Sequence, residues 1–212
     1  MSKAELRRRA AKRAIEARNK KFAAATPAQR RVMIAKDVLA QIKARRLRPR
    51  AGKWLDVGVA AEIRLAAQQL DASVAQLFLA KDMPACECCA LGSLFMGCAL
   101  TSDKTTFSDF VTASASLDEA IENPEQKSVL TRYFSPAQLR TIEMAFEDGL
   151  GAFEFESEED SWNRTLSDNT EDPTLSPRDA KLHAWRKRYP KDRDCLIAIM
   201  QNIIDNGGTF KP

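Results

Sequence analysis

Apolar residues recur at helical spacing along most of this chain. Ala35, Val38, Leu39 and Ile42 follow the i, i+3, i+4, i+7 pattern, and residues 196–204 repeat it near the C-terminus. The sequence has no long alternation of β-branched residues, and its eight Gly and nine Pro are too few for a turn-rich sandwich or barrel. We therefore predict an all-α or mainly α fold: a compact multi-helix domain with a basic N-terminal helical arm and an acidic loop insertion.

The predicted arm comprises residues 1–25, and residues 26–212 form a single α-helical domain. The arm is rich in strong helix formers and contains no Gly or Pro. Only Ile15 and Phe22 are large apolar residues on its narrow stripe, so we expect the arm to be held loosely, and to project or to become ordered on a partner. Residues 147–172 hold ten acids and one base without periodicity, which predicts an exposed acidic excursion.

Further elements follow from apolar spacing and from capping residues. We expect a helix in residues 59–81, a buried helix in residues 88–100 and a loop in residues 101–116. Thr26 followed by Pro27 predicts the start of a second helix, and Trp54 begins a short extended piece. The other predicted helix N-caps are Ser116, Ser135, Ser176 and either Asp192 or Asp194.

Positive charge is concentrated in the first quarter of the chain. Residues 1–53 contain 18 of the 33 Lys and Arg residues and only three acids, a net charge of +15, whereas the remaining residues have a net charge of −11. A cationic segment of this length suits a polyanion, because each neutralised phosphate releases condensed counterions. Arg outnumbers Lys there, which favours bidentate contacts with phosphate. The predicted nucleic-acid-binding residues are Arg7, Arg8, Arg9, Lys12, Arg13, Arg18, Lys20, Lys21, Arg30, Arg31, Arg45, Arg46, Arg48, Arg50, Lys53 and the base-stacking Trp54.

Three of the five cysteines, Cys86, Cys88 and Cys89, lie close together. The C-x-x-C spacing from Cys86 to Cys89 matches thiolate ligands of zinc, but a structural zinc needs four ligands and the single histidine, His183, is distant. The alternative is that these cysteines pack as small, soft residues at the start of a buried helix. We predict packing, with no cofactor and no metal, and keep zinc ligation by the three cysteines as a second interpretation.

Catalytic signatures are few. A single histidine excludes most acid–base and nucleophile arrangements, although not those built on carboxylates. Gly92 and Gly97 share the glycine spacing of a phosphate-binding loop, but Cys98 and Ala99 stand where that loop needs Lys and then Ser or Thr. We interpret the two glycines as helix-packing positions. The sequence favours a protein that is not an enzyme.

Three blocks of sequence stand out in the last two-thirds of the chain. They are Cys86–Gly92 with the following Phe95, Phe134–Leu139 through Ala145–Glu147, and Leu196–Ile204 followed by Gly208–Pro212. Together they resemble a group of small proteins from bacteriophages and mobile elements. The resemblance implies no particular activity, and the Arg-rich arm and the acidic insertion depart from it. A phage setting implies, by analogy, interference with host or defence machinery.

The leading hypothesis is a non-enzymatic phage or mobile-element protein whose basic arm contacts nucleic acid or a nucleoprotein complex. The alternative is an anti-CRISPR-like inhibitor of a host protein, in which the acidic segment imitates phosphate and occupies a basic groove. A zinc-supported binder is the third hypothesis. An odd number of cysteines, no apolar run of bilayer length and no apolar N-terminal stretch predict a cytoplasmic protein without a membrane partner.

Overall fold

The fold is that of a computed structural model, which describes residues 3–56, 85–102, 129–147 and 176–212. The helices and strands in these ranges are α1 (Lys3–Ala24), α2 (Pro27–Lys43), β1 (Leu47–Pro49), β2 (Leu55–Asp56), β3 (Cys86–Cys88), α3 (Ala90–Ser102), α4 (Pro136–Phe146), α5 (Pro177–Arg188) and α6 (Asp192–Asp205). The mainly helical fold class is thereby confirmed. The predicted helix in residues 59–81, residues 103–116 of the predicted loop and the Ser116 cap lie outside the described residues.

The core is centred on α3, which is buried along almost its whole length. Helix α2 packs against both α3 and α6. Gly97 permits the close approach of α2 and α3, because a Cβ atom there would lie 2.9 Å from the Val38 side chain. The buried helix and the packing role of this glycine are confirmed. The helix begins at Ala90, however, because residues 86–88 form a strand.

A small three-stranded sheet in the order β1-β3-β2 lies beside these helices. Strand β3 pairs with β1 in parallel and with β2 in the antiparallel sense. In β3 the side chains of Cys86 and Cys88 are buried, whereas the carboxylate of Glu87, on the opposite face, accepts a hydrogen bond from Arg50 at 2.8 Å. Sequence analysis predicted only the extended piece at Trp54, which is followed by β2.

Helix N-termini agree with the sequence at three of four positions. Thr26 forms a capping box with Gln29, and Ser135 and Ser176 accept amide hydrogen bonds as N-caps. The prediction that Asp192 or Asp194 caps the last helix is wrong, because Lys191 occupies that position without a side-chain bond. The Asp192 carboxylate instead accepts hydrogen bonds from the Ala51 amide at 2.9 Å and from Arg186 at 2.5 Å.

The second half of α1 is docked on the body of the protein. Ile15 and Phe22 are 2% and 5% exposed, which confirms the predicted stripe. The Phe22 ring packs edge-on against Tyr133, with ring centroids 5.4 Å apart. The expected loose attachment therefore does not hold for this half of the helix. In the described ranges, none of the helices is long and apolar enough to cross a bilayer.

Candidate nucleic-acid interface

Several of the predicted nucleic-acid-binding cations have structural partners instead. Arg18 donates a hydrogen bond to the Asp37 carboxylate at 2.9 Å and another to the Leu100 carbonyl, so it joins α1 to α2 and α3. Burial raises the pKa of Asp37, while Arg18, Gln41 and Arg46 act in the opposite direction. Arg18 is thus a partner for a carboxylate that is largely enclosed by the fold.

Arg30 and Arg31 also serve the fold. Arg30 donates to the Phe22 and Ala23 carbonyls at 3.0 and 2.8 Å, where α1 ends. Arg31 donates to the Gly208 carbonyl at 2.6 Å and to the Tyr133 carbonyl at 3.2 Å. Carbonyl groups at helix ends and loops need such donors, and these two guanidinium groups are committed to them.

Three further cations are engaged in ion pairs or nearby electrostatic contacts. Arg9 lies 3.0 Å from Glu5 and Arg50 lies 2.8 Å from Glu87 in partly exposed ion pairs, and the half-buried Arg46 lies near Asp37. Trp54 is only 6% exposed and packs against Phe95 at a centroid separation of 6.1 Å. Its predicted stacking on a base is incompatible with this position, because the ring belongs to the core.

The remaining predicted cations are exposed. On α1 they are Lys12, Arg13, Lys20 and Lys21, and after α2 they are Arg45, Arg48 and Lys53. Within the described part of the chain, none of these side chains forms a hydrogen bond or an ion pair. Arg7 and Arg8 also lie on α1. The structure thus separates cations that hold the fold together from cations whose charge faces solvent.

Two of the exposed arginines line a groove with a third that the sequence analysis did not select. The groove has a volume of about 590 Å³, and its lining residues are Ile42, Arg45, Leu47, Arg48, Pro49 and Arg193. Arg193 is exposed and, among the described residues, has no carboxylate partner. Three arginines therefore line one concavity, which makes it a candidate site for an anion.

The groove is built where α2 ends and the chain enters β1. The amides of Arg45 and Arg46 donate to the carbonyls of Ile42 and Gln41 at 3.0 and 2.9 Å, which is the Schellman arrangement of a helix C-terminus. Arg45 has a left-handed backbone with φ 57°, a conformation usually taken by glycine. The turn sends the chain directly into β1, which places Arg48 three residues further along the same groove.

Arg193 was missed because the charge argument was confined to residues 1–53. Residues 186–194 hold five Lys and Arg residues and two Asp residues, a net charge of +3, so the sequence contains a second, shorter basic cluster. In the structure the Asp192 carboxylate is occupied by Arg186 and by the Ala51 amide. The short basic cluster is the signal that could have pointed to Arg193.

The cysteine cluster lies in the core. Cys86, Cys88 and Cys89 are buried free thiols, and the Cys88 sulfur lies 3.1 Å from the Ser93 hydroxyl. Burial raises the pKa of Cys88 to about 12, and it also raises that of Cys89, with a further contribution from Glu147. In the metal-free protein these thiols are therefore protonated and uncharged at neutral pH. In the described ranges, no three His, Cys, Asp or Glu side chains are grouped so as to hold a metal ion.

Glu143 on α4 is an ionisable residue that the sequence analysis overlooked. It is 3% exposed, and burial together with the neighbouring Glu147 raises its pKa to about 8. Its Oε2 atom has no hydrogen-bond partner among the described residues. A perturbed carboxyl group can mark a reactive site, but this one is enclosed on α4 and does not line the arginine groove.

The acidic excursion can be located only at its first residue. Glu147 follows α4 and its carboxylate accepts a hydrogen bond from the Gly52 amide at 2.8 Å. Residues 148–172 lie outside the described residues, so the phosphate-imitating surface remains a hypothesis from the sequence.

Comparison of the chain with protein-family models, with curated proteins and with solved structures finds no match. The site must therefore be interpreted from its own geometry and charge.

Proposed function

We propose that this protein is a non-enzymatic binder of nucleic acid or nucleoprotein that contacts the phosphate backbone through its solvent-facing cations. The observation that carries the proposal is the division of the basic residues into two sets. Arg18, Arg30 and Arg31 are bonded within the fold, whereas Lys12, Arg13, Lys20 and Lys21 of α1 and the three groove arginines have no partner among the described residues. Unpaired cations repel one another, and a polyanion relieves that repulsion.

The arrangement suits phosphate as the ligand. Arginines present a planar fork of donors that matches phosphate oxygens, and three of them line one groove. The lysines of α1 supply point charges on a helix only partly docked, which suits contact with a backbone that carries regular charge. Binding of this kind depends on counterion release and therefore weakens steeply as salt rises.

The test is a salt series of binding affinity for the full-length protein with duplex DNA and with single-stranded RNA. We expect affinity to fall linearly with salt on a log–log plot. Lys12→Gln, Lys20→Gln and Lys21→Gln in one variant should reduce the slope on duplex DNA by about 0.9 for each phosphate that the variant no longer neutralises. The matched control replaces three exposed lysines elsewhere, Lys181, Lys187 and Lys211, by Gln and should leave the slope unchanged.

Two results would contradict the proposal. One is the absence of binding to both nucleic acids at low salt. The other is an equal change of slope in the arm variant and in the control, because net charge rather than a defined surface would then govern binding. Recovery of a stoichiometric host protein after nuclease treatment, with no nucleic-acid binding, would favour the inhibitor hypothesis instead.

A further inference from the structure

We infer that the groove lined by Arg45, Arg48 and Arg193 is a specific binding site for a phosphate monoester, the group found at the end of a nucleic-acid strand or on a free nucleotide. The inference rests on the proposed function and names the ligand group that this part of the surface takes. It separates the groove from α1, whose cations contact phosphates without distinguishing one from another.

The charge of the groove favours a dianion. Three arginines line one concavity, and among the described residues no carboxylate lines it or forms an ion pair with them. A phosphodiester carries one negative charge and two unesterified oxygens, whereas a phosphate monoester carries about −1.5 to −2 at pH 7 and three such oxygens. Three guanidinium groups are therefore better matched in charge and in acceptor oxygens by the monoester.

The size of the groove is compatible with such a ligand. Its volume of about 590 Å³ is within the range of small-ligand sites, roughly 300–1,000 Å³. Ile42 and Leu47 are almost fully buried, so the surface that a ligand would meet comes mainly from the three arginines and Pro49.

The backbone at Arg45 supports a ligand-directed role for its side chain. A left-handed conformation costs an L-residue roughly 1–2 kcal/mol relative to glycine. Arginine nevertheless occupies this position, and its side chain is exposed towards the groove rather than bonded within the described fold. A glycine would serve the helix end equally well, so the guanidinium group is the feature that distinguishes this residue.

The experiment compares short single DNA strands of identical sequence with a 5′-phosphate, with a 3′-phosphate or with neither. A strand one nucleotide longer and unphosphorylated controls for the added charge. We expect the full-length protein to bind one of the phosphorylated strands roughly tenfold more tightly than the unphosphorylated strands. An added nucleoside monophosphate should abolish this tenfold preference by competition and leave the binding of unphosphorylated strands unchanged.

The variants identify the groove as the source of the preference. Arg45→Gly combined with Arg48→Gln and Arg193→Gln should abolish it, whereas the control with Lys181, Lys187 and Lys211 changed to Gln should retain it. If the triple variant fails to fold, Arg45→Gly alone serves, because glycine is compatible with the backbone at residue 45. That single variant should lose most of the tenfold preference.

The outcomes distinguish this inference from the proposed function. Equal affinity for phosphorylated and unphosphorylated strands overturns the inference. If both kinds of strand still bind in a salt-dependent way, the proposed function stands. Conversely, a nucleoside monophosphate that binds the native protein but not the groove variant, while no strand binds, supports the monoester site and overturns the proposed function. A preference that survives in the groove variant also overturns the inference.

Discussion

Helices α2 and α6 end in the same backbone cap, but with different residues at its left-handed position. In α6 the amides of Gly207 and Gly208 donate to the Ile204 and Ile203 carbonyls at 3.2 and 2.7 Å, the pattern also seen at Arg45 in α2. The φ angles are 62° at Gly207 and 57° at Arg45. Glycine takes this conformation without cost and arginine does not, so arginine is the costlier residue for the backbone at this position.

The surroundings of the two ends differ. At the α6 end Gly207 itself is exposed, but the next residue, Gly208, is buried: its carbonyl accepts a hydrogen bond from Arg31 at 2.6 Å, and a Cβ atom there would lie 2.6 Å from the Ala28 carbonyl. The α2 end instead opens on the arginine groove. Glycine thus stands at a helix end whose next residue is enclosed by the fold, and arginine stands at a helix end that borders the groove.

Removing the guanidinium group that closes the α6 end should have the largest effect. Arg31→Ala leaves the Gly208 and Tyr133 carbonyls without their donor, so we expect the free energy of unfolding to fall by about 2–3 kcal/mol in urea denaturation. The control is Arg48→Ala, an exposed groove position, which should change stability by less than about 0.5 kcal/mol. Equal stability of the two variants would mean that the two classes of arginine do not differ.

Placing arginine at the α6 end tests the backbone cost directly. Gly207→Arg should lower the free energy of unfolding by about 1 kcal/mol, because the residue keeps its left-handed conformation. No heavy atom lies within 4 Å of a Cβ built at this position, so crowding does not contribute. Gly207→Asn should cost less, since Asn tolerates this conformation better. If the arginine variant is as stable as the native protein, arginine carries no backbone cost at a helix end of this kind, and the comparison of the two ends fails.

Much of this fold is encoded locally and was predictable for that reason. The apolar spacing of residues 35–42 and the capping pair Thr26 and Gln29 fix α2, and the continuous apolar run fixes α3 as a buried helix. Likewise, the two large residues on the α1 stripe, Ile15 and Phe22, are the ones that reach the core. Each of these predictions depends on residues within one or two helical turns of one another.

The features that were missed depend on contacts distant in sequence. Strand β3 is short and exists only because β1 and β2 pair with it. Asp192 does not cap α6, because Ala51 and Arg186 bind its carboxylate. Likewise, the basic segment was recognised from composition. Composition does not distinguish a bonded arginine such as Arg31 from an exposed one such as Arg193, and it selected only two of the three groove arginines.

The most direct test of the account is Arg45→Gly, measured for both stability and binding. If arginine is kept at this helix end for its side chain, the free energy of unfolding should stay unchanged or rise by up to about 1 kcal/mol, while affinity for the phosphorylated strand falls. Such opposite responses would show that the side chain serves a ligand at the expense of the backbone. A loss of stability, or binding equal to that of the native protein, would contradict the account.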